Sequence, residues 1–206
     1  MNNKIDIIFC GVGGQGILLA SEVISQVAMD SGLDIKKAEV HGMAQRGGSV
    51  VSHVRISDKV YSPLIKTGSA DFLVSFEQIE TVRYLNLLKK DGQIIMNSQR
   101  IIPITAYIGD TPYPDDVIPM LNEKTRKVEV LDALDIATKV GNKNTVNVVM
   151  LGALSKSLSF TEKVWEEAIK KRVPAKFLDI NIKAFKAGAN SFSKNTVGAK
   201  IATKTI

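Results

Sequence analysis

The sequence has one cysteine, Cys10, among 206 residues. That excludes an intramolecular disulfide and a cysteine-ligated iron–sulfur cluster held by this chain. Histidine is nearly as scarce, with only His41 and His53. No helical pair of histidines has the spacing of a zinc site, so no dedicated metal is expected. No apolar run approaches the roughly 18 residues of a membrane span. The short run Ile5–Cys10 already has Asp6 inside it. Asp6 and the glycines after Cys10 also break any signal-peptide core. A cytoplasmic protein without membrane attachment is therefore expected. Aromatic residues make up 6% of the chain and do not interleave with basic ones, so no nucleic-acid module is expected.

Several catalytic signatures are missing too. There is no G-x-x-x-x-G-K-[ST] phosphate loop and no serine in a G-x-S-x-G elbow. The Gly-Asp-Gly run that holds the metal of a thiamine diphosphate site is absent. A self-sufficient catalytic set is not expected here. The net charge of +6 suggests an anionic partner, but half of it comes from Lys194, Lys200 and Lys204 in the acid-free stretch Ser191–Ile206. That stretch reads as a solvated basic tail after a single domain over residues 1–190.

What remains is an ordinary globular composition, 45% hydrophobic and 23% charged. Lys4–Cys10 reads as a buried strand, Gly11–Gly16 as a turn, and Gln15 to about Ser31 as a helix stopped by Gly32. Ile35–Val40 completes a βαβ unit with parallel strands. Ser49–Ser57, Lys59–Ser62, Phe72–Phe76, Gln93–Asn97 and Lys127–Leu131 read as further strands. A helix is expected from Glu77 to about Leu88 and another from Asp132 to Val140. The C-terminal third is helical, with Asn144 and Thr161 as candidate caps and Pro174 opening a last helix that ends near Gly188. Trp165 belongs to the core. Alternating strands and helices define an α/β fold, a Rossmann-like open and mainly parallel sheet with flanking helices.

Gly11, Gly13 and Gly16 form G-x-G-x-x-G between a strand and a helix. In a dinucleotide site, the first glycine allows the tight turn and the second lets backbone N–H groups approach a pyrophosphate. The third lets the helix pack close. Glu39 ends the second strand, where a ribose-binding acid would lie. The loop is equally readable as a tight turn without a ligand. A second cluster runs from His41 to Ser49 and holds Gly42, Gly47 and Gly48. There Arg46 can clamp a phosphate or carboxylate, or pair with an acid across an interface. His41 can exchange a proton or be simply hydrogen-bonded in place. Glu77 is either a site carboxylate or a first-turn acid of its helix. If the strands are parallel, Gly11–Gly16, His41–Gly48, Ser75–Gln78 and Asn97–Ser98 converge on one rim at the carboxyl ends.

Gly11-Val12-Gly13-Gly14-Gln15-Gly16, followed by Ile17-Leu18, resembles the opening of the γ subunits of 2-oxoacid:ferredoxin oxidoreductases. His41-Gly42-Met43-Ala44-Gln45-Arg46-Gly47-Gly48-Ser49-Val50 resembles that family's second signature, in a form most like the small, or β, subunit of indolepyruvate ferredoxin oxidoreductases. Ala70-Asp71 with Glu77, Asn147 to Gly152 and Pro174 to Gly188 also fit. The resemblance implies a γ-type domain without tightly bound cofactor, beside a large α subunit that carries thiamine diphosphate, magnesium and iron–sulfur clusters. It implies oxidative decarboxylation of a 2-oxoacid, with indolepyruvate or another aryl pyruvate as the favoured class, to acyl-coenzyme A with ferredoxin as acceptor. Gly11, Gly13, Gly14, Gln15 and Gly16 in one loop, and Gln45, Arg46, Gly47 and Gly48 in the other, are then candidates for contacting coenzyme A. The competing reading is a free-standing NAD(P)-binding dehydrogenase built on Gly11–Gly16 and Glu39.

Overall fold

The computed structural model describes residues 4–41, 48–102 and 113–192, with only the backbone of His41. Gln45, Arg46, Gly47, part of the proline-bearing stretch after Ile102, and the tail beyond Phe192 lie outside the described residues. Six strands form one sheet: β1 (Ile5–Val12), β2 (Asp34–His41), β3 (Ser49–Ser57), β4 (Ala70–Ser75), β5 (Leu88–Asn97) and β6 (Val128–Leu131). Seven α-helices are described: α1 (Ile17–Asp30), α2 (Gln78–Tyr84), α3 (Ile118–Lys124), α4 (Ala133–Val140), α5 (Val146–Ser155), α6 (Glu162–Arg172) and α7 (Leu178–Ser191).

The strand order is β2-β3-β1-β4-β5-β6. β1, β4, β5 and β6 pair in parallel, so the sheet is mainly parallel as expected. The expected βαβ unit needs correction. β2 is not beside β1, because β3 lies between them and runs antiparallel to both. β3 matches β1 from Ile5↔Ile56 to Val12↔Ser49, and β2 from Asp34↔Ser57 to His41↔Val50. Its Val50, Val54 and Ile56 join one apolar layer and Val51 the other.

The sheet separates two apolar layers. On one face, Ile7, Phe9, Val54, Val74 and Ile95 belong to a core shared with α1, α4, α5, α6 and α7, including Trp165. On the other, Ile8, Cys10, Leu73, Ile94 and Met96 belong to a core with Leu121 of α3, while Val82 and Tyr84 of α2 pack against it. This alternation along β1 is the period-2 pattern of a strand covered on both faces. α5 is buried from Val146 to Leu154, as expected of a helix apolar on nearly every side.

Local chemistry moved several boundaries. Lys59–Ser62 is not a strand. The Val60 N–H bonds the Asp34 carboxylate at 2.8 Å, and the Arg55 guanidinium takes the carbonyls of Ser62 and Leu64. Side chains thus satisfy backbone groups that a ladder would have used. β5 begins at Leu88, before the expected turn, and its register against β4 shifts between Ala70 and Phe72. The helix expected from Glu77 ends in a 3-10 turn at Leu85–Leu87. Asn142, not Asn144, caps the turn before α5, accepting the Asn144 N–H at 3.0 Å. Thr161 is the N-cap residue of α6 but makes no side-chain capping bond. A 3-10 turn at Ala175–Phe177 follows Pro174, and α7 then runs past Gly188 to Ser191.

Cys10 is fully buried. Burial pushes its thiol far above the usual range, and the nearby Glu80 and Glu77 charges add to this, against a hydrogen bond with Ser75. A thiol without thiolate character is a poor nucleophile. The native chain is therefore expected to resist an aromatic disulfide reagent for hours and to release one thiol equivalent in denaturant. Rapid native labelling would contradict the packing described for β1.

Candidate functional site

The turn after β1 is built from backbone geometry. Gly14 and Gly16 have φ of +104° and +78°, in the left-handed region that favours glycine. Gly14 is exposed, and a Cβ added there would meet nothing within 4 Å. Gly16 is the N-cap residue of α1, and no side chain caps that helix or places an acid in its first turn. The helix start therefore turns its positive end toward the rim without a neutralising carboxylate. A Cβ on Gly16 would lie 2.6 Å from Asn147 Nδ2, and that amide donates to the Gly16 carbonyl at 3.3 Å. The third glycine thus serves a left-handed cap and a contact with α5, rather than close packing of helix on strand. At Gly11, a Cβ would stand 2.9 Å from Phe76 Cβ.

Gln15 braces this turn from inside. Its Oε1 accepts the Val12 N–H at 2.7 Å, and its Nε2 donates to the Phe76 carbonyl at 2.9 Å and to Gln99 Oε1 at 3.1 Å. Both ends of the amide are committed within the chain. What the loop presents outward is backbone, above all at Gly14. Gly13 donates its N–H to the Gly48 carbonyl at 2.8 Å, which joins the two glycine segments directly.

The rest of the rim comes from β4 and β5. Asn97 Nδ2 donates to the Phe76 carbonyl at 3.1 Å, and Asn97 Oδ1 accepts the Ala133 N–H at 3.1 Å. Gln78 bonds the Gln99 and Ser98 carbonyls. Glu77, fully buried, caps α2 by accepting the Glu80 N–H at 3.0 Å. Its other oxygen accepts Ile101 N–H at 3.0 Å and Tyr113 O–H at 2.5 Å. Burial, reinforced by that carboxylate, pushes the Tyr113 phenol well above its ordinary range, so it remains a donor. Glu77 is a structural cap tying three segments together.

The expected convergence holds for Gly11, Gly13, Gly14, Gln15, Gly16, Gly48, Ser75–Gln78 and Asn97–Ser98. Antiparallel β3 contributes because it starts where β1 ends. Gln45, Arg46 and Gly47 cannot be placed on this rim from the described residues. Glu39 is on its expected strand, but that strand is not next to β1. It is on β2, two strands from β1, and its Oε1 accepts from Lys37 at 2.9 Å and Ser21 at 3.3 Å. β3 thus sets its strand about 10 Å from the strand that carries the loop. Sequence reasoning did not assign roles to Gln99, Asn147, Ser49, Glu80 or Tyr84. The Glu77-x-x-Glu80 spacing after a strand is a readable helix-start signal. Nothing local marks Gln99, whose partner Gln15 is 84 residues away. Among the described residues, no group of three His, Cys, Asp or Glu side chains is arranged to hold a metal ion, and no helix is long and apolar enough to cross a membrane.

These features define an open α/β fold with a glycine loop at the carboxyl end of its first strand. Residues 6–191 match the pyruvate ferredoxin/flavodoxin oxidoreductase family, and the chain belongs to it. It is 42% identical, over 191 residues, to indolepyruvate oxidoreductase subunit IorB of Archaeoglobus fulgidus, spanning 91% of this chain and 94% of that one. Among solved structures, it is similar to the γ subunit of a keto/oxoacid ferredoxin oxidoreductase from Geobacter sulfurreducens. That match has a TM-score of 0.68 and 26% identity, covering 91% of this chain and 97% of the other. The fold also recurs in a 2-oxoglutarate:ferredoxin oxidoreductase from Magnetococcus marinus, with a TM-score of 0.73 and 20% identity. That structure holds 2-oxoglutarate, coenzyme A and succinyl-CoA, and the match covers 96% of this chain and 32% of that one.

Proposed function

We propose that this chain is the small subunit of a cytoplasmic indolepyruvate ferredoxin oxidoreductase and supplies part of its coenzyme A cleft. A large partner subunit carries thiamine diphosphate, magnesium and the iron–sulfur clusters. The assembled enzyme releases carbon dioxide from an aryl pyruvate, passes two electrons to ferredoxin and joins the acyl group to the coenzyme A sulfur. The relatives' names support the substrate class.

The observation that carries the cleft reading is the exposed Gly14 turn beside the uncapped start of α1. Backbone N–H groups at a helix start suit phosphate, and an open glycine lets a ligand approach the backbone. Gly11, Gly13, Gly14 and Gly16 shape that cradle, and Gln15 holds it. Gly48 fastens it to the second signature, whose Gln45, Arg46 and Gly47 complete the proposed contact set. Bound coenzyme A would supply the thiol that accepts the acyl group, and this chain would orient its phosphates. The relatives' names give no support to the NAD(P) dehydrogenase reading.

The test is a steady-state comparison on the assembled enzyme. Gly14→Asp adds a carboxylate and a Cβ at φ +104°. It is expected to raise KM for coenzyme A at least ~10-fold, the scale of about 1.4 kcal/mol of lost binding, and to leave KM for indolepyruvate unchanged. An unchanged KM for coenzyme A would reject the cleft reading.

A further inference from the structure

A polar relay at the start of β3 reaches the glycine loop from the opposite side of the rim. Glu80, on α2, is buried, with its side chain 5% exposed. Its Oε1 accepts the Arg83 Nε–H at 3.0 Å, and its Oε2 accepts the Ser49 hydroxyl. Ser49 has one hydroxyl proton. With that proton given to the carboxylate, the Tyr84 hydroxyl must be the donor in its 3.0 Å contact with Ser49 Oγ. Ser49 is therefore held from two sides by one face of α2. It is also the residue opposite Val12 in the β1–β3 register, and the next residue back, Gly48, receives the Gly13 N–H.

We propose that Glu80 is a positioning residue for the glycine loop, acting through Ser49 and Gly48 on Gly13. This rests on the coenzyme A reading above for its functional consequence. Glu80 touches no ligand in this account. Its buried carboxylate sets where β3 begins, and that start sets where the Gly13 amide is held. A carboxylate suits the position because both its oxygens accept, one from Arg83 and one from Ser49. A glutamine keeps one acceptor for Arg83 but turns its NH₂ toward Ser49, which can accept it only by reversing the Ser49–Tyr84 contact, and it loses the charge that strengthens both bonds.

Two measurements on the assembled enzyme test this, with Glu80→Gln, Ser49→Ala, the double variant and Ser49→Thr. The first is hydrogen exchange at the Gly13 amide. Glu80→Gln and Ser49→Ala are each expected to speed it about 10-fold, a change equivalent to ~1.4 kcal/mol. The double variant should do no more than either single one, and Ser49→Thr should match the parent within twofold. The second is steady-state kinetics. KM for coenzyme A should rise about 10-fold in the same variants, with kcat and KM for indolepyruvate within twofold. Unchanged Gly13 exchange in Glu80→Gln would overturn the proposal whatever ligand the loop takes. So would an unchanged KM for coenzyme A in Glu80→Gln and Ser49→Ala alongside a raised one in Gly14→Asp. Accelerated exchange with no coenzyme A effect in any variant, Gly14→Asp included, would support the positioning role and reject only the cleft reading.

Discussion

Replacing Gly188 with alanine is expected to destabilise the chain by about 3 kcal/mol, even though the substitution lies inside a helix. Helix propensity alone favours alanine over glycine by about 1 kcal/mol. Packing reverses the sign. A Cβ at Gly188 would sit 2.0 Å from the Val149 carbonyl oxygen, and a Cβ at Gly152 would sit 2.0 Å from that of Phe185. The two glycines face each other's helix backbone where α7 crosses α5. Backbone on both sides cannot move aside as a flexible side chain would, so the helices must separate. Their separation would loosen the contacts of Phe185 with Trp165, whose rings lie 5.6 Å apart. Urea unfolding should show the loss, with Tm lower by roughly 9 °C. Gly152→Ala should behave alike. An alanine variant as stable as the parent would mean that this crossing is looser than described.

Arg55→Ala is the second large effect. Asp6 is fully buried in β1, and Arg55 lies opposite it in β3. Arg55 Nε donates to Asp6 Oδ1 at 2.9 Å, and Lys4 Nζ lies 3.0 Å from Oδ2. The same guanidinium holds the Ser62 and Leu64 carbonyls. Removing it leaves a buried carboxylate with one half-exposed lysine as partner, at a cost of about 3 kcal/mol. Lysine in its place should recover only part, because one ammonium cannot reproduce the planar fork. The paired replacement Asp6→Leu with Arg55→Met should return to within about 1 kcal/mol of the parent, because it removes both charges at once. Equilibrium unfolding of the three variants checks the series. A negligible loss in Arg55→Ala would show that Lys4 alone suffices for Asp6.

The glycine loop was legible because its requirements are local. A strand, left-handed glycines and a helix start follow one another within a few residues. Strand order was less legible, because the alternation in Ser49–Ser57 is the same whether its neighbour runs parallel or antiparallel. The unforeseen place of β3 between β2 and β1 follows from that ambiguity. Gly188 shows a related limit. A glycine late in a helix reads as a stop signal, yet here it is a crossing point whose partner, Val149, is distant in sequence. Asn147 stands among valines and methionine in α5, which marks a buried polar group, but its contact with Gly16 spans 131 residues. Gln99 has no signal of its own. The rim could be anticipated from the strand ends, but the amides that lock it could not.

The central claim is that this chain works as a partner-dependent subunit whose glycine rim serves a cofactor held in common. Its most direct test is purification of the native protein through a tag on this chain, followed by assay of the eluate and of the isolated chain. The account predicts a large copurifying subunit that contains thiamine diphosphate and iron. The complex should reduce ferredoxin only with both indolepyruvate and coenzyme A present, and the isolated chain should show no turnover. A chain that purifies without such a partner and oxidises a substrate with NAD(P) on its own would contradict it.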